Sequence, residues 1–123
     1  MSQIMRYTCP CCGYKTLGDF PGSYEICKIC FWEDDPVQLL DPSYQGGANG
    51  PSLMECQNNF EQCGVSEKRF KNNVRVPTQE DVRDPEWRLA VKQDLEGARV
   101  PRELSDEEYR TLDTWYYWKN DTT

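Results

Sequence analysis

The chain has 123 residues, a net charge of −7, seven cysteines and no histidine. Its mean hydropathy of −0.84 implies one small domain with a thin core that needs a staple. The acidic balance works against nucleic-acid binding, and the missing histidines remove Ser-His and Cys-His dyads, so a non-enzymatic protein is expected.

Met1 to Thr8 has no apolar h-region, and no stretch approaches the roughly eighteen apolar residues that a membrane span needs. A cytoplasmic, reducing location follows, where seven cysteines point to metal rather than disulfides.

Tyr7 to Leu17 reads as a first knuckle with short flanking strands. It holds Cys9-Pro10-Cys11-Cys12-Gly13, and fourteen residues separate Cys12 from the second pair, Cys27-Lys28-Ile29-Cys30. Two Cys-x-x-Cys turns at nearly the zinc-ribbon separation can face each other and form a tetrahedral sulfur cage. The candidate ligands are Cys9, Cys12, Cys27 and Cys30. Zinc is the expected ion, and iron suits the same donors. Gly13 tolerates the positive φ that turns backbone N–H groups toward the sulfurs. Cys11 could compete with Cys12, but the spacing and the following glycine make it the spare.

Two other readings use the same residues. Cys9-Pro10-Cys11-Cys12 superficially matches a glutaredoxin-like redox site, with Cys9 and Cys12 as the thiol pair. Such cysteines need a helix N-terminus, and Gly13 to Gly18 is a poor helix. An iron electron carrier would use the four-sulfur cage itself; Cys12-Gly13-Tyr14 is similar to the first knuckle of rubredoxin, whose pairs lie farther apart.

Ser23 to Ile26 is a plausible strand entering the second knuckle. Phe31-Trp32 leaves it, shielding the metal and starting the core. Trp32 and the acidic run Glu33-Asp34-Asp35 are also candidate partner contacts; the plainer reading of the run is a solvated turn. Gln45 to Pro51 is a glycine-rich loop without the ending of a phosphate loop, so it serves as a lead-in packed near the metal module. Ser52 and Glu55 form a capping box for a helix with Leu53, Cys56, Phe60 and Cys63 on one stripe and Gly64 as its stop. Cys56 and Cys63 lie about 10 Å apart on such a helix, too far for a disulfide, and read as buried thiols. Ser66 to Arg75 is basic, loosely helical and solvated.

Asp84-Pro85 predicts a second helix start, with Trp87, Ala90, Val91 and Leu95 as its apolar face and Gly97 as its stop. Val100-Pro101 is a linker. Ser105 and Glu108 predict a third capped start, with Leu104 and Tyr109 as a hydrophobic staple. Tyr109, Leu112 and Tyr116 line one face. Trp115, Tyr117 and Trp118 extend around the helix, either wrapping back on the core or meeting a partner. The expected fold class is α+β: a small N-terminal zinc-ribbon-like β-module packed against about three helices. Residues 1–75 form the metal-binding domain, and residues 76–123 a helical extension packed on it.

The combined pattern resembles the bacterial Cys-rich CPCC domain family. It runs through Tyr7-Thr8-Cys9-Pro10-Cys11-Cys12-Gly13-Tyr14, Tyr24-Glu25-Ile26-Cys27, Cys30-Phe31-Trp32-Glu33-Asp34-Asp35, Gly46-Gly47-Ala48-Asn49 and the helix start at Ser52-Leu53. The resemblance covers roughly residues 6 to 75 and implies a small metal-binding module with no established enzymatic activity. Some relatives resemble immunity proteins encoded beside toxins. The expected role is therefore a stoichiometric protein binder, most concretely one that blocks a toxin with a cationic cleft, using Trp32, Glu33, Asp34, Asp35, Trp115, Tyr117 and Trp118 as contacts.

Overall fold

The computed structural model describes residues 6–120. The first knuckle reverses the chain, so β1 (Tyr7–Thr8) pairs antiparallel with β2 (Lys15–Leu17), with an irregularity between Tyr7 and Thr8. A second, narrower reversal carries the other cysteine pair. There the strand expected at Ser23 to Ile26 shrinks to one bridge, Ile26 opposite Glu33. The cause is Tyr24, at φ +64°. Its N–H donates to the Asp34 carbonyl, and the Asp34 N–H donates to Glu25, so two residues oppose one and regular pairing stops.

The acidic run is not a solvated turn. Asp34 is fully buried; its Oδ2 accepts from the Gly22 and Ser23 amides and from the Ser23 hydroxyl. Asp35 caps a helix, α1 (Pro36–Leu40), through the Val37 and Gln38 amides, with Pro36 at its first position. Both carboxylates gain amide partners that water would otherwise supply, which is why they tolerate burial. The glycine-rich loop packs on the same spot. Ala48 donates to Asp35 Oδ2, and Gln38 bonds to the carbonyls of Tyr44, Asn49 and Pro51.

α2 spans Leu53–Cys63 with both capping-box bonds formed, and Gly64 ends it at φ +77°. Cys56 is buried and Cys63 half-buried; none of the seven cysteines is in a disulfide. The basic stretch forms a 3₁₀ turn, Lys68–Asn73, whose Phe70 ring packs against Phe31 at 4.5 Å.

The helix expected from Asp84 does not form there. The Asp84 carboxylate instead accepts from the Thr8 hydroxyl at 2.7 Å and from the Glu86 amide. Trp87 reaches back to Pro10, and the Ala90 amide donates to Gln57. These anchors hold the stretch to a single turn at Asp84–Trp87 followed by irregular chain to Val91, and helix propensity is too weak a preference to oppose them. Only α3 (Lys92–Leu95) remains. A 3₁₀ turn at Pro101–Glu103 follows.

The third helix starts as expected, with the Ser105 capping box, but α4 stops at Asp106–Tyr109. After Thr111 the chain resumes as α5 (Leu112–Trp115) and ends in a 3₁₀ turn, Tyr117–Asn120. Breaking the helix solves the problem of too many aromatics for one face. Trp115, Tyr116 and Trp118 all enter the core, each at most 2% exposed. That core is continuous with the buried cysteines, Trp32, Leu39 and Leu53. A small sheet with several short helices makes the fold α+β, as expected. Among the described residues no helix is long and apolar enough to cross a membrane.

Candidate metal centre

Both knuckles are built alike. The Gly13 amide donates to the Cys9 carbonyl at 2.8 Å, and the Phe31 amide donates to the Cys27 carbonyl at 2.9 Å. Gly13 sits at φ +80° and Phe31 at φ +69°. The residue behind each pair thus turns left-handed and lets the two sulfurs of the pair converge. Glycine does this without strain. Phe31 does not, but its ring gains Phe70 as a neighbour.

The result is one cluster: the Sγ atoms of Cys9, Cys12, Cys27 and Cys30 all lie within 4.8 Å of one another. Cys9 Sγ to Cys30 Sγ is 3.6 Å, and Cys12 Sγ to Cys27 Sγ is 3.7 Å. A tetrahedron with metal–sulfur bonds of about 2.3 Å has edges of about 3.8 Å. These sulfur separations therefore fit a tetrahedral thiophilic ion. All four cysteines are 0% exposed.

The electrostatics carry the same message. Desolvation pushes the Cys9, Cys12 and Cys30 thiols well above their ordinary range. Cys27 is pulled down, chiefly by hydrogen bonds from Cys12, Cys30 and Cys9, and also from Thr16. The Thr16 hydroxyl lies 3.1 Å from Cys27 Sγ, and the Ile29 amide donates to the same sulfur at 3.4 Å. Four buried thiolates would repel one another; a divalent cation among them removes that cost and holds each sulfur deprotonated. The donor set fits zinc and iron equally well.

The four predicted ligands are thus brought together. Cys11 stays outside the set, fully buried in the adjoining core. A redox pair needs a sulfur that another thiol can reach, and Cys9 and Cys12 expose none; β2 rather than a helix follows them. Most of the anticipated partner contacts are interior residues. Trp32 and Asp34 are 0% exposed, Asp35 4%, Trp115 1% and Trp118 2%. The rings fill the core, the Asp35 carboxylate caps α1 and the Asp34 carboxylate accepts from Gly22 and Ser23, so they offer no surface. Glu33 and Tyr117 keep part of theirs. The Tyr117 hydroxyl is already committed to the Arg88 carbonyl and to Gln57.

Several supporting residues carry no motif. Thr16 reaches Cys27 only because β2 returns beside the first knuckle. Arg83 donates to the Cys12 carbonyl at 3.0 Å, and Trp87 Nε1 donates to the Pro10 carbonyl at 2.9 Å, from more than 70 residues away in sequence. Gln57 donates to that same Pro10 carbonyl from α2. A buried glutamine within an apolar helical stripe was the one available signal.

Residues 7–81 match the family model described as cysteine-rich CPCC. The chain belongs to the cysteine-rich CPCC family. The match spans both knuckles, α1, α2 and the 3₁₀ turn, and it ends just before the segment that folds back over the first knuckle. No curated protein matches the chain.

Proposed function

We propose that this CPCC protein is a non-catalytic binding module whose zinc is structural, and that it acts as a stoichiometric binder of a basic protein. Its most concrete form is a bacterial, cytoplasmic immunity protein that occupies the cationic cleft of a cognate toxin. The observation that carries the structural-metal reading is the complete burial of four sulfurs at tetrahedral spacing. A four-thiolate cage leaves no open position for substrate, so the ion's role is to hold the fold. The partner's sign follows from the net charge of −7. An acidic body steers toward a basic one and speeds association.

Co-expression tests the reading. The chain is expected to rescue cells from the product of the adjacent gene and to co-purify with it in a fixed ratio, carrying one equivalent of zinc. Absence of both rescue and complex would remove the binding role, and absence of metal would remove its structural basis.

A further inference from the structure

Tyr24 occupies the position of a β-bulge that glycine usually fills. It stands at φ +64°, opposite Asp34 together with Glu25. A left-handed tyrosine is strained, and strain persists where something else requires it. Phe31, the other left-handed residue with a side chain among the described residues, recovers the cost through its packing on Phe70. Tyr24 has no such return. Tyr24 is 51% exposed, and among the described residues no ring stacks on it.

Its surroundings are acidic and aromatic. The Ile26–Glu33 bridge and the bond from the Tyr24 amide to the Asp34 carbonyl set Glu33 and Asp35 beside it. Asp35 caps α1, and α1 packs against α5. Trp115 of α5 donates its indole N–H to the Tyr109 carbonyl and meets the Tyr109 ring edge-on at 5.3 Å. Tyr109 is itself 50% exposed. The Tyr24 hydroxyl titrates above its ordinary range, first through desolvation and then through the charges of Asp35, Glu33 and Tyr109, which agrees with this neighbourhood. Among the described residues the Glu33 carboxylate has no ion-pair partner.

We propose that Tyr24, Tyr109 and Glu33 form the contact patch for a basic protein segment, the two rings taking arginine or lysine side chains on their faces and Glu33 pairing with the cationic head. Half-exposed tyrosines supply rigid contact area at low entropic cost, and their faces attract cations. An unpaired carboxylate beside them selects for positive charge. This patch deepens the binder reading of the previous section and rests on it. It also replaces the buried tryptophans as the aromatic contacts.

The test uses the zinc-loaded full chain and a hexa-arginine peptide, with binding followed by calorimetry and by backbone amide shifts at about 0.15 M salt, where unspecific attraction is screened. Tyr24→Gly removes the ring while relieving the backbone, so the variant stays folded. Combined with Tyr109→Ser, it is expected to weaken binding about tenfold; Glu33→Gln alone is expected to weaken it about threefold. Tyr24→Phe retains the affinity, and Val76→Ser, at a site 78% exposed elsewhere, changes nothing. Undiminished binding by the double variant, or peptide-induced shifts confined to another face, overturns the patch and leaves the basic-partner reading standing. Failure of the wild-type chain to bind either hexa-arginine or hexa-lysine overturns both.

Discussion

The indole of Trp87 covers the Cα of Gly13. A methyl group added at Gly13 would lie 2.6 Å from the ring, closer than real carbon atoms approach. The ring cannot retreat easily, because its Nε1 is bonded to the Pro10 carbonyl in the same knuckle. Gly13 is therefore required twice, once by its φ of +80° and once by this contact.

Gly13→Ala should consequently cost about 2–4 kcal/mol, more than a left-handed alanine alone. Chemical denaturation of the zinc-loaded protein measures it. Gly13→Ala combined with Trp87→Leu should cost less than the sum of the two single changes, since removing the indole frees the space. Additive costs would mean that the ring does not constrain the knuckle.

The cysteines should divide sharply. Cys27→Ala removes the sulfur that accepts from both Thr16 and Ile29, and with it one corner of the cage. It should abolish stoichiometric metal and unfold the chain, because ion binding supplies folding free energy on the order of 10 kcal/mol in sites of this kind. Cys63→Ala removes a half-buried thiol bonded only to the Asn59 carbonyl, and should cost about 1 kcal/mol or less with metal content unchanged. Elemental analysis and circular dichroism of the two variants read both outcomes.

The boundary between what the sequence reveals and what it conceals follows the range of the interactions. The cage and α2 are legible because their signals are local: paired cysteines on turns, and Ser52, Glu55 and Gly64 in fixed register. The Asp-Pro pair occurs three times, at Asp35, Asp41 and Asp84, and the surrounding contacts decide which copy starts a helix. Asp35-Pro36 has amides of its own turn to cap and makes α1. Asp84-Pro85 also caps an amide of its own turn, Glu86, but its other oxygen is held by the Thr8 hydroxyl on β1, and the chain makes a single turn there and no helix. Likewise no local pattern tells that Trp115 and Trp118 face inward, since their burial depends on the helix breaking at Thr111.

Gln57 should prove one of the most sensitive polar residues. Its amide N–H groups serve the Pro10 carbonyl and the Tyr117 hydroxyl, and its oxygen accepts from the Ala90 amide. One side chain thus ties α2 to the first knuckle and to both arms of the returning segment. Gln57→Ala leaves the Ala90 amide without its partner and strips one of two bonds from the Pro10 carbonyl and from the Tyr117 hydroxyl, and should cost about 2–3 kcal/mol. Hydrogen exchange should show residues 84–120 opening more readily than α2 in this variant. Uniform weakening of the whole chain would show that the returning segment does not depend on it.

Asp34 should make stability depend on pH in the direction opposite to ordinary acid unfolding. Burial pushes its carboxyl from 3.8 to about 6, against the pull of the Ser23 and Gly22 amides, and Oδ1 has no hydrogen-bond partner. Below the unfolded value both states hold the proton and nothing is lost. As pH rises through the window from about 4 to about 6, the unfolded chain releases its proton first and the folded state is penalised, by about 3 kcal/mol once both are ionised. Loss of metal from protonated cysteines runs the other way, and it is common to the wild type and to Asp34→Asn. The comparison therefore has to be a difference, taken with zinc in excess. The variant keeps a carbonyl oxygen for the Gly22 and Ser23 amides but carries no charge, so its stability relative to the wild type should climb between pH 4 and pH 6 and level off above. A relative stability that stays flat across this window would mean that the Asp34 carboxyl ionises at its ordinary value despite its burial.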